Sequence, residues 1–176
     1  MRHWIRGRWR DTFHHADGTI EQGDWSPNQI QNAAAIVAAS LFCRFSELPA
    51  GSGWGGILYM GIGSGLTAWD TTAPTQDPAD VSLTTEYFRK AIAAADMSFS
   101  DGAGNAVTVP TRFILITITL TTAEANGSLR EFGLYGGDAT ATLDSGQIIN
   151  WVVHPRIDKD ATVTITRTVE IEFLEP

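Results

Sequence analysis

The chain has 176 residues, 43% of them hydrophobic, which is enough for one domain, or two small ones, with a sizeable core. Its net charge of −8 excludes a general nucleic-acid binder, and its single cysteine, Cys43, excludes an internal disulfide and a Cys-rich zinc site. No apolar run approaches the roughly 18 residues that would span a membrane as a helix.

The charge is unevenly distributed. Residues 1–10 contain Arg2, Arg6, Arg8 and Arg10 and no acid, whereas residues 11–176 hold 8 bases and 20 acids. The basic start has no apolar stretch behind it, so it does not read as a secretory signal. Arginine forks onto carboxylates and stacks on aromatics, which suits fixed contacts.

In chain order, residues 1–25 alternate bulky and basic groups, with Asp17-Gly18 as a turn pair between Phe13 and Ile20. They are expected to form an N-terminal arm or hairpin. It either packs as an edge strand on its own domain or lies on a neighbouring subunit. Residues 27–45 are expected to form the one helix. Ser26 and Gln29 read as a capping box, Pro27 takes the first helical position, and Ile30, Ala33, Ala34, Val37, Leu41 and Phe45 recur at steps of three and four. Pro49 and the following glycines end it.

The remainder reads as strands. Ile57 to Ile62 is an apolar run that fits a buried strand, and residues 63–80 form a Gly/Pro/Asp-rich loop. Leu83–Ala95 suits two structures: its alanine density favours a helix, while YFRKAIAAADMSF also alternates as a strand; a short turn at Leu83–Glu86 and a strand over 89–99 are expected, with SDGAGN at 100–105 as a hairpin turn. Thr111–Thr122 and Thr162–Phe173 alternate clearly, and Leu129–Tyr135 and Gln147–Val153 are further strands. In the last strand Arg167 interrupts the apolar side, so a carboxylate partner or an interface is expected there. The whole predicts a mainly β protein: an antiparallel, jelly-roll-like β-sandwich over residues 26–176 with one helix and the N-terminal arm.

Catalytic and cofactor motifs do not emerge, so no enzyme and no cofactor is expected. Gly61-x-Gly63-x-Gly65 follows a strand but opens no helix for a pyrophosphate, and reads as a tight turn. His14 and His15 point to opposite faces of a strand, and His154 reads as a strand-end histidine. Asp101–Asn105 and Asp158–Asp160 lack the spacing of a calcium loop and read as turns. No serine or cysteine sits in a nucleophile context. Paired carboxylates for glycoside hydrolysis need not be close in sequence, and nothing selects a pair.

The six tryptophans are the stronger signal, because Trp and Arg together dominate interfaces. They either cap the ends of the sandwich or face other subunits. The interface candidates are Arg2, Trp4, Arg6, Arg8, Trp9, Arg10, Trp54, Trp69, Arg130, Trp151 and Arg156.

Three stretches then resemble small virion structural proteins of tailed bacteriophages, of the head-decoration, collar and tail-associated type. They are Asn32–Leu41 with Ile57–Gly65; Leu83-x-x-Glu86-x-x-Arg89-Lys90; and Arg130–Tyr135 followed by Gly146–Lys159 and Thr164–Phe173. The resemblance implies a non-enzymatic virion component made in the host cytoplasm, a capsid decoration (cement) or neck protein. It also implies a homo-oligomer, with a trimer favoured, bound to major capsid, portal, neck or tail proteins and not directly to nucleic acid or membrane. In that picture Glu86 and Arg89 tie a loop to the sheet, and Arg130-Glu131 and Arg156–Lys159 supply intersubunit ion pairs. The alternatives are a tail-fibre or baseplate-attached adaptor or receptor-binding protein, with Trp54 and Trp69 stacking on sugars, and a carbohydrate-binding module or carbohydrate-active enzyme.

Overall fold

The computed structural model describes residues 5–42 and 55–174. The expected mainly β, antiparallel character with one helix is observed. The chain divides into two compact units: unit 1 comprises Met1–Asn28, Ala93–Asn126 and Lys159–Pro176, and unit 2 comprises Gln29–Ile92 and Gly127–Asp158. The first boundary between the units falls between Asn28 and Gln29. Each unit is assembled from segments distant in sequence, because strands recruit partners by register and not by proximity along the chain.

Unit 1 is built on β1 (Ile5–His15), β2 (Ile20–Gln22), the first residues of β3 (Ser26–Ile30), β6 (Met97–Ser100), β7 (Ala106–Val107), β8 (Phe113–Leu120) and β11 (Val163–Phe173). β1 pairs with β11 along its whole length, from Ile5 opposite Phe173 to His15 opposite Val163. Its other edge is taken by β3 at Gly7–Trp9 and by β2 at Thr12–His14. The β1–β2 hairpin turns through Asp17-Gly18, where Gly18 has φ 87° and the Asp17 carboxylate accepts the Thr19 N–H at 2.8 Å. Of the two expectations for this segment, the hairpin packed on its own domain is observed from Ile5 onward, with β1 as an interior strand and not a free arm. The alternation of aromatic and basic residues that suggested an arm is the alternation of the two faces of a paired strand.

Those faces divide the chemistry. On the apolar face Trp9 lies opposite Val169 and Phe13 opposite Ile165, and β8 adds Ile116, Ile118 and Leu120, all buried. On the other face Arg6 and Arg8 lie opposite Glu172 and Glu170. Arg167 falls on the apolar face, and its partner is Asp11, directly opposite. Nε donates to Oδ1 at 2.7 Å and Nη2 to Oδ2 at 2.6 Å, with both side chains almost wholly buried. The guanidinium carbon also lies 5.2 Å from the centre of the Trp9 ring.

Unit 2 orders its strands β5 (Glu86–Ala91), β4 (Gly55–Gly63), β9 (Gly127–Gly137), β10 (Gln147–Lys159) and the last residues of β3, and α1 (Ala33–Phe42) lies against β4. The helix begins six residues later than the capping pattern predicts. Ser26-Pro27-Asn28 pairs with β1 as a strand, and Gln29 and Ile30 pair with β10. Pro27 lacks only a backbone N–H, so an extended edge accommodates it as readily as a helix start. Residues 43–45 lie outside the described residues. The strand expected over 89–99 is also interrupted: β5 ends at Ala91, a 3₁₀ turn occupies Ala94–Asp96, and β6 begins at Met97. The Asp96 carboxylate accepts the Ala93 N–H at 2.8 Å and so stabilises the break.

The glycines of β4 make room for buried carboxylates. A Cβ at Gly61 would come within 2.3 Å of Glu86 Oε1, and one at Gly63 within 2.5 Å of Glu131. Glu86 cannot yield, because Arg89 clamps it through Nε and Nη2, each at 2.7 Å. Gly61→Ala is therefore expected to cost about 2–3 kcal/mol, the scale of overpacking a tight site. Denaturant unfolding followed by fluorescence checks it; a loss within experimental error would mean that the carboxylate moves aside.

Candidate functional site

Two surfaces, one in each unit, gather arginine, tryptophan and carboxylate.

In unit 1 the polar face of β1 carries Arg6, Arg8 and Arg10 at two-residue spacing, and β11 carries Glu170 and Glu172 at the same spacing. The strands bring them into pairs. Arg6 meets Glu172 through Nε, and Arg8 Nε donates to Glu170 Oε1 at 2.8 Å. Arg112 adds a second cation to Glu172 at 3.2 Å, and Ser100 Oγ donates to Glu170. Both glutamates are buried, while the Arg6 side chain is 69% exposed. The ring of Trp25 lies against two guanidiniums, with its centre 4.3 Å from that of Arg8 and 4.6 Å from that of Arg10. Gly104, at φ 90°, lets the 101–105 turn close on this ring, since a Cβ there would come within 2.5 Å of it. The turn itself is held by Asp101, whose carboxylate accepts the Ala103 and Asn105 N–H groups at 2.7 and 3.1 Å. These bonds, with the Asn105 amide, hold its pKa below the ordinary carboxylate range. A shallow cleft of about 430 Å³ opens among Arg6, Arg8, Arg112, Trp25 and Phe113.

In unit 2 a 3₁₀ turn over Thr67–Asp70 places Trp69 and Asp70 beside β9 and β10. Arg130 grips Asp70 with two hydrogen bonds, Nε to Oδ1 at 2.6 Å and Nη2 to Oδ2 at 2.8 Å, and donates to Ser64 O at 3.1 Å. Arg156 reaches Asp70 at 3.6 Å and Asp158 at 2.8 Å, and Ser128 completes the chain by donating to Asp158 at 2.7 Å. The Arg130 hydrogen bonds hold Asp70 below the ordinary carboxylate range, and the Arg156 hydrogen bond does the same for Asp158.

A carboxylate whose folded-state pKa is lowered contributes its stability fully above its unfolded value. It loses that contribution as pH falls through the lowered value. The stability difference between the wild type and Asp70→Asn is thus expected to be largest at neutral pH. It should shrink only below the usual aspartate range and vanish once Asp70 is protonated. Urea unfolding at a series of pH values tests this; a difference that is constant down to strong acid would show that Asp70 is not coupled to Arg130.

The deeper layer of unit 2 is structural. Glu131 is wholly buried and accepts N–H groups from Thr84 at 3.1 Å, Thr85 at 2.8 Å and Trp151 Nε1 at 2.8 Å. Arg89 ties Glu86 to the 140–145 loop through Thr140 O, Ser145 O and Ser145 Oγ, and its guanidinium lies 4.1 Å from the Tyr135 ring centre. Burial pushes the Tyr135 hydroxyl far above its ordinary pKa, and that oxygen accepts the Leu83 N–H at 3.1 Å.

The interface candidates therefore separate. Arg6, Arg8 and Arg10 share one face of β1, and Trp9 lies on the opposite, apolar face against Arg167. Trp69 and Arg156 line one cleft. Trp151 is buried in the unit 2 core and bonded to Glu131, and Arg130 is buried and satisfied by Asp70. The polar atoms of both are met inside the chain. Arg2, Trp4 and Trp54 lie outside the described residues.

Sequence reasoning passed over Trp25, Arg112, Glu170 and Glu172 as members of one surface. The matching two-residue periods of Arg6-x-Arg8 and Glu170-x-Glu172 were the available signal. Asp70, in a loop 60 residues from Arg130, left none. Comparison with protein-family models, curated proteins and solved structures finds no match for this chain.

Proposed function

We propose that the chain is a non-enzymatic virion structural protein of a tailed bacteriophage. In this reading it is a head-decoration or neck component that forms a symmetric homo-oligomer, a trimer, and docks on capsid, portal or tail proteins. The observation that carries the reading is the unit 1 surface. There, arginine side chains fixed by buried glutamates and a tryptophan form a pre-ordered patch of the residue types that anchor interfaces. Fixing these side chains before binding lowers the entropy cost of association. The virion class itself is supported by the resemblance of Arg130–Tyr135, Gly146–Lys159 and Thr164–Phe173.

The strand pairing of β1 changes how docking works in this reading. Arg6 and Arg8 already neutralise Glu172 and Glu170, so the partner meets a folded face and not a loose basic arm. The test is mass spectrometry of purified particles with the wild type and with Arg6→Ala/Arg10→Ala, which removes two of the three arginines of this face. Wild-type protein is expected in the particle at a fixed copy number, and the double variant, folded by circular dichroism, is expected to fall at least about tenfold. Absence of the wild type from particles, or normal incorporation of the variant, would refute the reading.

A further inference from the structure

We infer that the unit 2 cleft beside Trp69 is a binding site for a neutral saccharide. The cleft has a volume of about 400 Å³ and is lined by Trp69, Asp70, Thr71, His154, Pro155 and Arg156, among others. That volume falls within the roughly 300–1,000 Å³ of small-ligand sites.

Three features select the ligand class. The first is an aromatic surface held in place. Trp69 packs so closely on Gly65 that a Cβ there would lie 2.4 Å from its ring, and its ring centre is 6.3 Å from that of Trp151, which is itself fixed by Glu131. Gly65 has φ 54°, a conformation that favours glycine at this point of close approach. The negative face of an indole attracts the weakly positive C–H groups of a pyranose ring.

The second feature is a pair of planar, forked polar groups. Asp70 is oriented by Arg130 and Arg156 by Asp158, and their side chains retain 27% and 44% exposure at the cleft. Each Asp70 oxygen keeps a lone pair beyond its bond to Arg130, and Arg156 keeps N–H donors beyond its Nε bond to Asp158, so adjacent hydroxyls can donate to one and accept from the other. The third feature is charge. Arg130 and Arg156 are balanced by Asp70 and Asp158, so the cleft has no net charge to spend on a phosphate or a uronate. His154, on the same wall, donates from Nδ1 to Pro155 O at 2.8 Å.

The site stands independently of the virion reading, because it concerns the isolated protein. The test is titration of purified protein with maltotriose, mannotriose, chitotriose and trigalacturonate, followed by tryptophan fluorescence and calorimetry. At least one neutral trisaccharide is expected to saturate with a Kd of about 10 mM or tighter. Arg156→Ala should weaken it about tenfold, the loss of one charge-assisted bonding group. Trp69→Phe, which keeps a ring, should weaken it less than Trp69→Ala. The melting temperature of Arg156→Ala should match the wild type, which separates loss of binding from loss of fold. Any one of three results would overturn the proposal: no saturation by any neutral trisaccharide, wild-type affinity in Arg156→Ala, or tighter binding of trigalacturonate than of every neutral sugar.

Discussion

Replacing Arg167 with alanine is expected to destabilise unit 1 by about 3–5 kcal/mol, the cost of stranding one member of a buried ion pair. Asp11 would keep its charge in an apolar layer with both of its guanidinium bonds gone. Neutralising it by protonation would only exchange that cost for another. Lysine is not expected to rescue, because a single ammonium cannot reproduce the two parallel bonds. The double variant Asp11→Leu/Arg167→Met removes both charges and fills the same layer. It is expected to regain most of the loss, since apolar replacement of an entire buried pair is often neutral or stabilising. Urea unfolding of the single and double variants, with Trp9 as a nearby fluorescent reporter, measures both effects. A single-variant loss below about 1 kcal/mol would place Arg167 in the class of exposed pairs and contradict its burial.

Glu131→Gln is expected to cost unit 2 about 2–4 kcal/mol. The shape is preserved, so packing is not the cause. Glutamine offers one accepting oxygen where the carboxylate offers two, and its amide N–H₂ would face N–H groups from Thr84, Thr85 or Trp151. The loss should be local before it is global. Amide exchange at Thr84 and Thr85 is expected to rise more than exchange in the centre of β9. Uniform acceleration across unit 2 would show instead that Glu131 supports the whole sheet and not the 84–85 segment.

The parts of the fold that sequence exposed were those governed by short-range periodicity. The alternation in Phe113–Leu120 and Val163–Phe173 identified both strands and the apolar face with Ile116, Ile118, Leu120, Ile165 and Val169, but not the burial of Glu170 and Glu172 on the other face, and Asp17-Gly18 marked its hairpin. Arg167 announced that a partner was needed, yet nothing near it named Asp11, 156 residues away. The errors arose where one local pattern suits two structures. Ser26-Pro27-Asn28-Gln29 reads as a helix start, but pairing with β1 and β10 outweighs capping there. Residues 89–99 alternate as a strand can while their alanines favour a helix, and a 3₁₀ turn over Ala94–Asp96 breaks the run. The candidate sites followed the same division. The Arg and Trp of β1 were visible as a composition, whereas their glutamate partners and the Asp70–Arg130 bond depend on register and loop path.

The pairing of β1 with β11 also sets an order of events during synthesis. β1 is made long before β11, so it remains without its main partner while the intervening strands are synthesised. Unit 2 closes earlier, once Asp158 has emerged. A chain truncated after Asp158 is expected to hold a formed unit 2 while Trp9 and Phe13 lack their β11 partners. The interval between synthesis of β1 and synthesis of β11 is thus one of vulnerability to aggregation.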